Sequence, residues 1–359
     1  MSLVNVSVHD VGNGGVYLYA GDRATLSPAN HLLDGATVTR YNRYTHCYTP
    51  GVTLGGVGNT VTRTHIFNAP HQAIFLSGNE HTISDCDIHE VTQITSDSGA
   101  FYMGRDLTYR GNRLLRNAWH DINSVNAGTP ILYLDDCASS VAVINNTFWN
   151  CSGPTAASEG GMGHTFIGNY VSENAMGVHA LGKSCAGALQ YASLVPWNTS
   201  SAWRAAYPEL VEELRENANA PWHLTFLNNT RCVPTANSSA AAPFVDMNIA
   251  SVQRWNGSSD GGINACHRIS GVPTPPWTSQ PVRGFNSWTA FGCGVTDADL
   301  RATADSLVEL GLAKAGYTIV APDECVVYAI KYITHKYPHS LSLSHHPHLL
   351  TCARRMNSI

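Results

Sequence analysis

Gly58-Asn59-Thr60-Val61-Thr62-Arg63-Thr64-His65-Ile66 is followed by Gly78-Asn79-Glu80-His81-Thr82-Ile83-Ser84-Asp85-Cys86-Asp87-Ile88, and the two stretches share one grammar. A turn built on Gly or Asn opens each, and a few residues rich in Val, Ile and Thr follow. The same text returns at Gly35-Ala-Thr-Val-Thr39, Gly111-Asn112-Arg-Leu-Leu-Arg-Asn117, Val143-Ile-Asn145-Asn146-Thr-Phe-Trp149 and Gly168-Asn169-Tyr-Val-Ser172. A period of roughly 20 to 35 residues, made of short strands without helical periodicity, marks a solenoid. One such unit cannot bury its own apolar side, so the next coil must stack on it and pair in parallel. Asn tolerates the left-handed backbone of a tight turn and can bond its neighbours above and below, which predicts an asparagine ladder. The fold class expected is all-β, a right-handed parallel β-helix. A β-sandwich would need hairpin signals and longer alternating strands, and these are scarce.

Working outward, the solenoid is expected over 1–270, with an inserted arm near 185–222. The arm carries Trp197, Trp203 and Trp222 and a short helical run after Tyr207-Pro208. Its tryptophans read as core or hinge residues more readily than as a sugar-stacking platform. A Pro-rich linker follows at 271–283. A different text begins at Gly284. Apolar residues at Leu300, Ala304, Leu307, Val308 and Leu312 predict a helix from Asp297, with Thr296 as N-cap, and Gly316 to Ala321 predicts a strand. Strand, helix and strand over 284–328 form the start of a parallel α/β unit. The tail at 329–359, rich in His, Ser and Leu without amphipathic order, reads as disordered.

Composition narrows the function classes. Of 359 residues only 13% are charged, the net charge is −5, and basic residues form no run before the last few positions, so nucleic acid is not an expected partner. No apolar stretch is long enough to span a bilayer. The ten cysteines lack zinc-module spacing. Met1 to Asp10 reads as a strand in progress, with no basic and apolar signal-peptide regions, and implies that the natural N-terminus lies upstream. Asn-X-Ser/Thr sequons at Asn5, Asn145, Asn150, Asn198, Asn228, Asn237 and Asn256 favour an extracellular or secretory location, although Asn-rich turns also generate them. A monomer is expected.

The stretch Asp97-Ser-Gly-Ala-Phe-Tyr-Met-Gly-Arg105-Asp106, with Ile131-Leu-Tyr133-Leu-Asp135-Asp136-Cys137, places acids at the ends of short strands. Glycoside hydrolysis needs two carboxyl groups about 5 Å apart for retention, or about 6.5–9.5 Å apart when a water must fit between them. Coils about 4.8 Å apart can supply either spacing. Asp97 with Asp135 or Asp136 is therefore the candidate catalytic set. The two neighbouring aspartates would face opposite ways if the strand continued through them. Arg105 is the candidate for a forked contact to substrate, and His71, His120 and His164 are candidate positioning groups. His65, His81 and His89 read as satisfied groups of the coil text, and Asp106 as a partner of Arg105. No metal or cofactor is required for hydrolysis. A uronate lyase, recasting Arg105 with Asp87, Asp97 and Asp136, would bring Ca²⁺, and a non-catalytic carbohydrate-binding β-helix is the third class.

Two resemblances add to this reading. Asn79-Glu-His-Thr-Ile, the Asp97–Asp106 run, Tyr133-Leu-Asp135-Asp136 and Tyr207-Pro-Glu-Leu210 resemble the right-handed β-helix proteins of the pectate-lyase-like superfamily, which implies a carbohydrate-active protein with a polysaccharide or oligosaccharide partner. Asp135-Asp136-Cys137 and Gly163-His164 resemble two polygalacturonase blocks. The Asn-Thr-Asp block of those enzymes is absent, Thr165 stands where a glycine is expected, and no Arg-Ile-Lys follows. The second resemblance covers Gly284-Phe-Asn-Ser-Trp288-Thr-Ala-Phe-Gly-Cys293 to Asp323-Glu324-Cys325, which is similar to the start of the family 27 α-galactosidase barrel. It implies a galactose-binding role for Asp323 and Glu324. One βαβ piece cannot close an eight-stranded barrel, so α-galactosidase activity is not expected, and the segment reads as the stub of a fused or truncated gene.

Overall fold

The computed structural model describes residues 1–124, 128–172, 176–181, 185, 194–210, 213, 224–231, 245–247, 256–257, 283–286, 296–311, 314 and 317–321. The chain divides into two compact units, Met1–Val272 and Pro273–Ile359.

In the first unit, strands of two to six residues recur in a fixed order and pair only with the coil above and the coil below. The first coil is Ser2–Val4, Ser7–His9 and Val16–Ala20, and these three strands begin three parallel sheets. Each later coil through the eighth adds one strand to each sheet. The fourth is Thr82–Ser84, Asp87–His89 and Phe101–Gly104, the fifth Asn112–Leu115, Ala118–His120 and Leu132–Asp135, and the sixth Val141–Ile144, Thr147–Trp149 and Pro154–Glu159. Among the described residues the first sheet has nine strands and the others eight. This is a parallel β-helix, as the repeating turn-and-strand text predicts.

The core is a stack of like side chains. Leu33, Val61, Ile83, Leu114, Val143, Phe166 and Phe226 follow one another in register along the first sheet, and Val38, Ile66, Ile88, Trp119, Phe148 and Val171 along the second. All thirteen are buried. Alternation puts one residue of each three-residue strand inward and its two neighbours outward, which explains why the apolar runs are too short to show a conventional strand pattern.

Two corners hold the coils in register. Between the first and second sheets the chain takes a left-handed residue in every coil, at Asn5, Gly35, Arg63, Asp85, Arg116, Asn145, Gly168 and Asn228, with φ between 47° and 66°. Asn5, Asn145 and Asn228 thus owe their place in the sequence to this turn. Beside it runs the expected ladder. The Asn117 N–H donates to Asn146 Oδ1 at 3.0 Å, the Asn146 N–H to Asn169 Oδ1 at 2.9 Å, and the Asn169 N–H to Asn229 Oδ1 at 3.0 Å. The corner leading into the first sheet has a second, mixed ladder. There the His31 N–H donates to Asn59 Oδ1, the Asn59 N–H to His81 Nδ1, the His81 N–H to Asn112 Oδ1, and the Val141 N–H to His164 Nδ1. The Gly-Asn pairs in the sequence belong to different corners, which accounts for their uneven spacing.

The inserted arm includes α1 (Ser201–Ala206). Trp203 is wholly buried and its indole N–H donates to the Arg23 carbonyl at 2.8 Å, so it is a core residue and not a sugar platform. Tyr207 donates to Glu80 Oε1 at 2.6 Å, and Arg110 and Glu213, both without exposed surface, form a 2.5 Å ion pair. Cys137 is bonded to Cys185.

In the second unit, Arg283–Asn286 pairs in parallel with Tyr317–Ala321, and the connection contains α2 (Asp297–Glu309). The helix opens with a reciprocal capping box between Thr296 and Asp299, as the sequence predicts for Thr296. Ala304 and Leu307 are buried, whereas Val308, at the edge of the same stripe, is 37% exposed. Trp222, the segment 271–282 and the tail 329–359 lie outside the described residues. No helix among the described residues is long and apolar enough to cross a membrane.

Candidate active site

The outer face of the third sheet carries an aromatic row that leads to a group of acids at the strand ends. Its register aligns Tyr17, Thr53, Phe75, Tyr102, Tyr133 and Ala157 on successive coils. Phe75 and Tyr102 stack with centroids 5.8 Å apart, and Tyr102 meets Tyr133 edge-on at 5.6 Å. Two residues further along, the same alignment pairs Gly104 with Asp135, and its next step sets Glu159 beside Asp135.

Carboxylate oxygens of Asp135, Asp136 and Glu159 all lie within 4.8 Å of one another. Asp135 is the buried member: it accepts the Tyr102 hydroxyl at 2.7 Å and the Asp136 N–H at 2.7 Å. Gly104 makes room for it, since a β-carbon there would stand 3.3 Å from Asp135 Cβ and 3.0 Å from the Tyr102 hydroxyl. Asp136 is half-exposed and paired with Arg105, Nε to Oδ2 at 3.3 Å. The strand ends at Asp135. Asp136 and Cys137 turn through left-handed backbone, with φ of 40° and 67°, so the alternation stops and both aspartates reach the same cluster.

Asp97 arrives from the other end of the strand, on the exposed loop before Phe101. Tyr133 links it to the cluster, its hydroxyl lying 3.3 Å from Asp97 Oδ1 and 3.1 Å from Glu159 Oε1. A phenol has one proton, so it donates to one of these carboxylates at a time. Burial, followed by the charges of Asp135, Asp97 and Glu159, pushes the Tyr133 phenol far above its ordinary range, and burial followed by Asp135 does the same to Tyr102. Both remain donors. The structure thus brings Asp97, Asp135, Asp136 and Arg105 into one neighbourhood. Asp106 faces elsewhere, accepting from the Thr108 N–H and hydroxyl and meeting Arg23 at 3.5 Å.

The three candidate histidines are not part of this cluster. His71 is buried in the turn before Ile74 and shares a 2.9 Å hydrogen bond with Thr95, which in turn bonds Ser98, so it braces the loop carrying Asp97. His164 is wholly buried in the mixed corner ladder. Burial pulls both rings down to about 3, so each is neutral at physiological pH. His120 projects from the second sheet. Burial opposes its charge, but hydrogen bonds to Asp121 at 2.6 Å and Asp87 at 2.8 Å outweigh that and raise it to about 9. Asp87 shares this second-sheet face and so does not stand with Asp97 and Asp136. Asp323 and Glu324 lie outside the described residues.

Sequence reasoning missed Glu159, Tyr102 and Tyr133. The signal for Glu159 was available: Pro154-Thr-Ala-Ala-Ser-Glu159 ends one coil beyond Leu132-Tyr-Leu-Asp135, in the same sheet. The acid trio could hold a hard cation, because Ca²⁺ takes carboxylate oxygens of this kind.

A family profile described as "Right handed beta helix region" matches residues 1–188. The chain is 51% identical over 45 residues to an α-galactosidase of Oryza sativa subsp. japonica, covering 12% of this chain and 11% of that protein. It is 44% identical over 45 residues to an α-galactosidase of Cyamopsis tetragonoloba, covering 12% and 11%. A probable α-galactosidase B of Aspergillus oryzae is 36% identical over 64 residues, covering 18% and 13%. The chain spans about a tenth of the length of the curated relatives it matches.

Proposed function

The chain belongs to the right-handed β-helix family, and from that premise we propose that it is a carbohydrate-active protein that hydrolyses glycosidic bonds of a polysaccharide lying along the third sheet. The observation that carries this reading is the group of carboxylates on adjoining coils: Asp136 and Glu159 lie in one cluster with Asp135, and Asp97 and Glu159 meet at the Tyr133 phenol. Hydrolysis through an oxocarbenium-like transition state needs one carboxyl group to protonate the leaving oxygen. A second carboxylate must attack the sugar or activate water. Asp136 and Glu159 are the reacting pair in this proposal, with Asp97 sharing the Tyr133 proton. Asp135, held by the Tyr102 hydroxyl and the Asp136 N–H, orients the pair. Arg105 holds Asp136, and in this proposal its planar guanidinium lies where it can meet sugar hydroxyls or a carboxylate.

The aromatic track supports a polymeric substrate. Tyr17 and Tyr19 are 52% and 65% exposed, and with the half-buried Phe75 and Tyr133 they line the same sheet toward the acids. The C–H faces of pyranose rings pack on such surfaces. The Cys137–Cys185 bond suits an oxidising compartment, and extracellular or secretory placement is part of the proposal. α-Galactosidase activity is not part of it, because the likeness to those enzymes covers 45 residues, about a tenth of their length.

The acid trio beside Arg105 favours one second reading, a uronate lyase in which Ca²⁺ neutralises the substrate carboxylate and a basic residue removes the α-proton. Products from a panel of neutral and acidic polysaccharides decide between them. New reducing ends without ultraviolet-absorbing unsaturated sugars support hydrolysis. Unsaturated ends that vanish with a calcium chelator support the lyase, and binding without any product would refute both.

A further inference from the structure

The outer face of the second sheet carries a column of imidazoles that the carbohydrate reading does not use. In register, His65 pairs with Asp87 on the next coil, and Phe67, His89, His120 and Trp149 follow one another on four successive coils. The rings stack: Phe67 on His89 at 5.0 Å, His89 on His120 at 4.7 Å, and His120 on Trp149 at 4.2 Å. Phe67 also covers His65 at 4.2 Å. Strand alternation returns the same face every second residue, so Asp87 and His89 point outward together and His65 approaches from the coil below. His65 Nε2 stands 2.6 Å from His89 Nε2 and 3.6 Å from Asp87 Oδ2, and one donor atom from each of the three lies within 4.8 Å of the others.

What sets this group apart from a chance surface cluster is the way its carboxylate is aimed. Asp87 Oδ1 is bound to His120 Nε2 at 2.8 Å, and His120 Nδ1 is bound to Asp121 Oδ2 at 2.6 Å. Asp121 Oδ1 in turn accepts from the Asn150 side-chain amide. That chain fixes one oxygen of Asp87 and turns the other toward the two ring nitrogens. On the far side of His89, Nδ1 faces Glu90 Oε2 at 3.6 Å. A carboxylate behind a ligating imidazole sets its tautomer and strengthens its donor nitrogen.

We propose that His65, His89 and Asp87 form a binding site for a divalent transition-metal ion of the zinc class. The donors are His65 Nε2, His89 Nε2 and Asp87 Oδ2, with the remaining coordination position open to solvent. Two imidazoles and one carboxylate suit zinc and its neighbours, whereas Mg²⁺ and Ca²⁺ prefer oxygen donors throughout. Zn–N bonds of about 2.0–2.1 Å place tetrahedral nitrogens about 3.3 Å apart. Binding therefore asks the facing nitrogens to part by less than about 1 Å, which a small rotation of the half-exposed His65 ring supplies. The competing account is a proton shared between two neutral imidazoles.

The test is zinc titration calorimetry on the full chain, after chelator treatment, for the wild type, His65→Ala, His89→Ala and the control His9→Ala, with Co²⁺ absorption as a second readout. The histidine-rich residues 335–348 are retained in every variant, so their contribution cancels in the comparison. The wild type and His9→Ala are expected to bind one more equivalent of zinc than either site variant, with tetrahedral Co²⁺ bands that both site variants lose. Asp121→Asn, acting through His120 and Asp87, is expected to weaken zinc about 10–100-fold. Equal stoichiometry and affinity in the wild type and both folded site variants would overturn the proposal. Should the variants fail to fold, carbethoxylation of the wild type decides the matter. Zinc is expected to protect peptides carrying His65 and His89 but not His9, and equal labelling with and without zinc would overturn it.

Discussion

Replacing Asn146 by Ala is expected to remove about 2–5 kcal/mol of stability, although the residue lies far from the candidate site. Asn146 is 1% exposed, and its side chain serves three coils. Oδ1 accepts from the Asn117 N–H and the Asn117 side-chain amide, both at 3.0 Å, and from the Trp119 indole at 3.4 Å. Nδ2 donates to the Leu114 carbonyl at 2.8 Å, the Ile144 carbonyl at 3.2 Å and Asn169 Oδ1 at 3.2 Å. Truncation removes the acceptor of a buried backbone N–H and the donor to a buried carbonyl. Each stranded group costs about 1–3 kcal/mol, and the upper end of the sum is trimmed where a water can enter the space left. Asn145, the exposed neighbour at φ 55°, supplies the control. Asn145→Gly meets the left-handed turn without a β-carbon and is expected to change stability by less than about 1 kcal/mol. Urea unfolding followed by tryptophan fluorescence and circular dichroism measures both. A loss below about 1 kcal/mol for Asn146→Ala, or equal effects of the two variants, would refute the argument that the ladder sets the coil register.

Three further outcomes are expected. Because His164 Nδ1 accepts the Val141 N–H as an asparagine would, His164→Ala should cost about 1–3 kcal/mol and His164→Asn clearly less in the same unfolding assay. Cys185→Ser opens a cross-link spanning 48 residues and should lower stability by up to about 4 kcal/mol, as should reduction of the wild type, read by thermal unfolding with and without reductant. Stability should also vary with pH in two directions when measured in chelator. His120, raised to about 9, contributes stability that is complete below about 6.5 and lost as pH rises through 9, a slope that His120→Asn abolishes. His71 and His164, held neutral with pKa values near 3, contribute stability that is complete above about 6.5 and is lost as pH falls toward 3.

The repeat was legible because its turns impose a backbone requirement on single residues. Asn145, Gly168 and Asn228 must accept positive φ, and Asn146, Asn169 and Asn229 must bond the coil alongside, so both demands are written in residue type. The site was legible only in part. Asp135 and Asp136 stand at a visible strand end, but their facing depended on a left-handed turn at Asp136 and Cys137 that no sequence rule places at an Asp-Cys step. Glu159 needed the inter-coil register, which one irregular loop is enough to obscure. His164 shows the converse difficulty. Beside a glycine it has the text of a catalytic block, while its ring nitrogen does the work of a corner asparagine. The second-sheet column was hidden for a similar reason, since His65, His89 and His120 look unrelated until consecutive coils are laid over one another.

The central claim is that carboxylates gathered on adjoining coils of the third sheet carry hydrolytic turnover. The most direct measurement is kcat/KM for Asp136→Asn and Glu159→Gln on whichever polysaccharide the wild type cleaves, with folding checked by circular dichroism. Removal of a group that transfers a proton or attacks the sugar should lower kcat/KM by about 10²–10⁴-fold, with new reducing ends remaining the product of the wild type. Turnover unchanged in both variants would contradict the account.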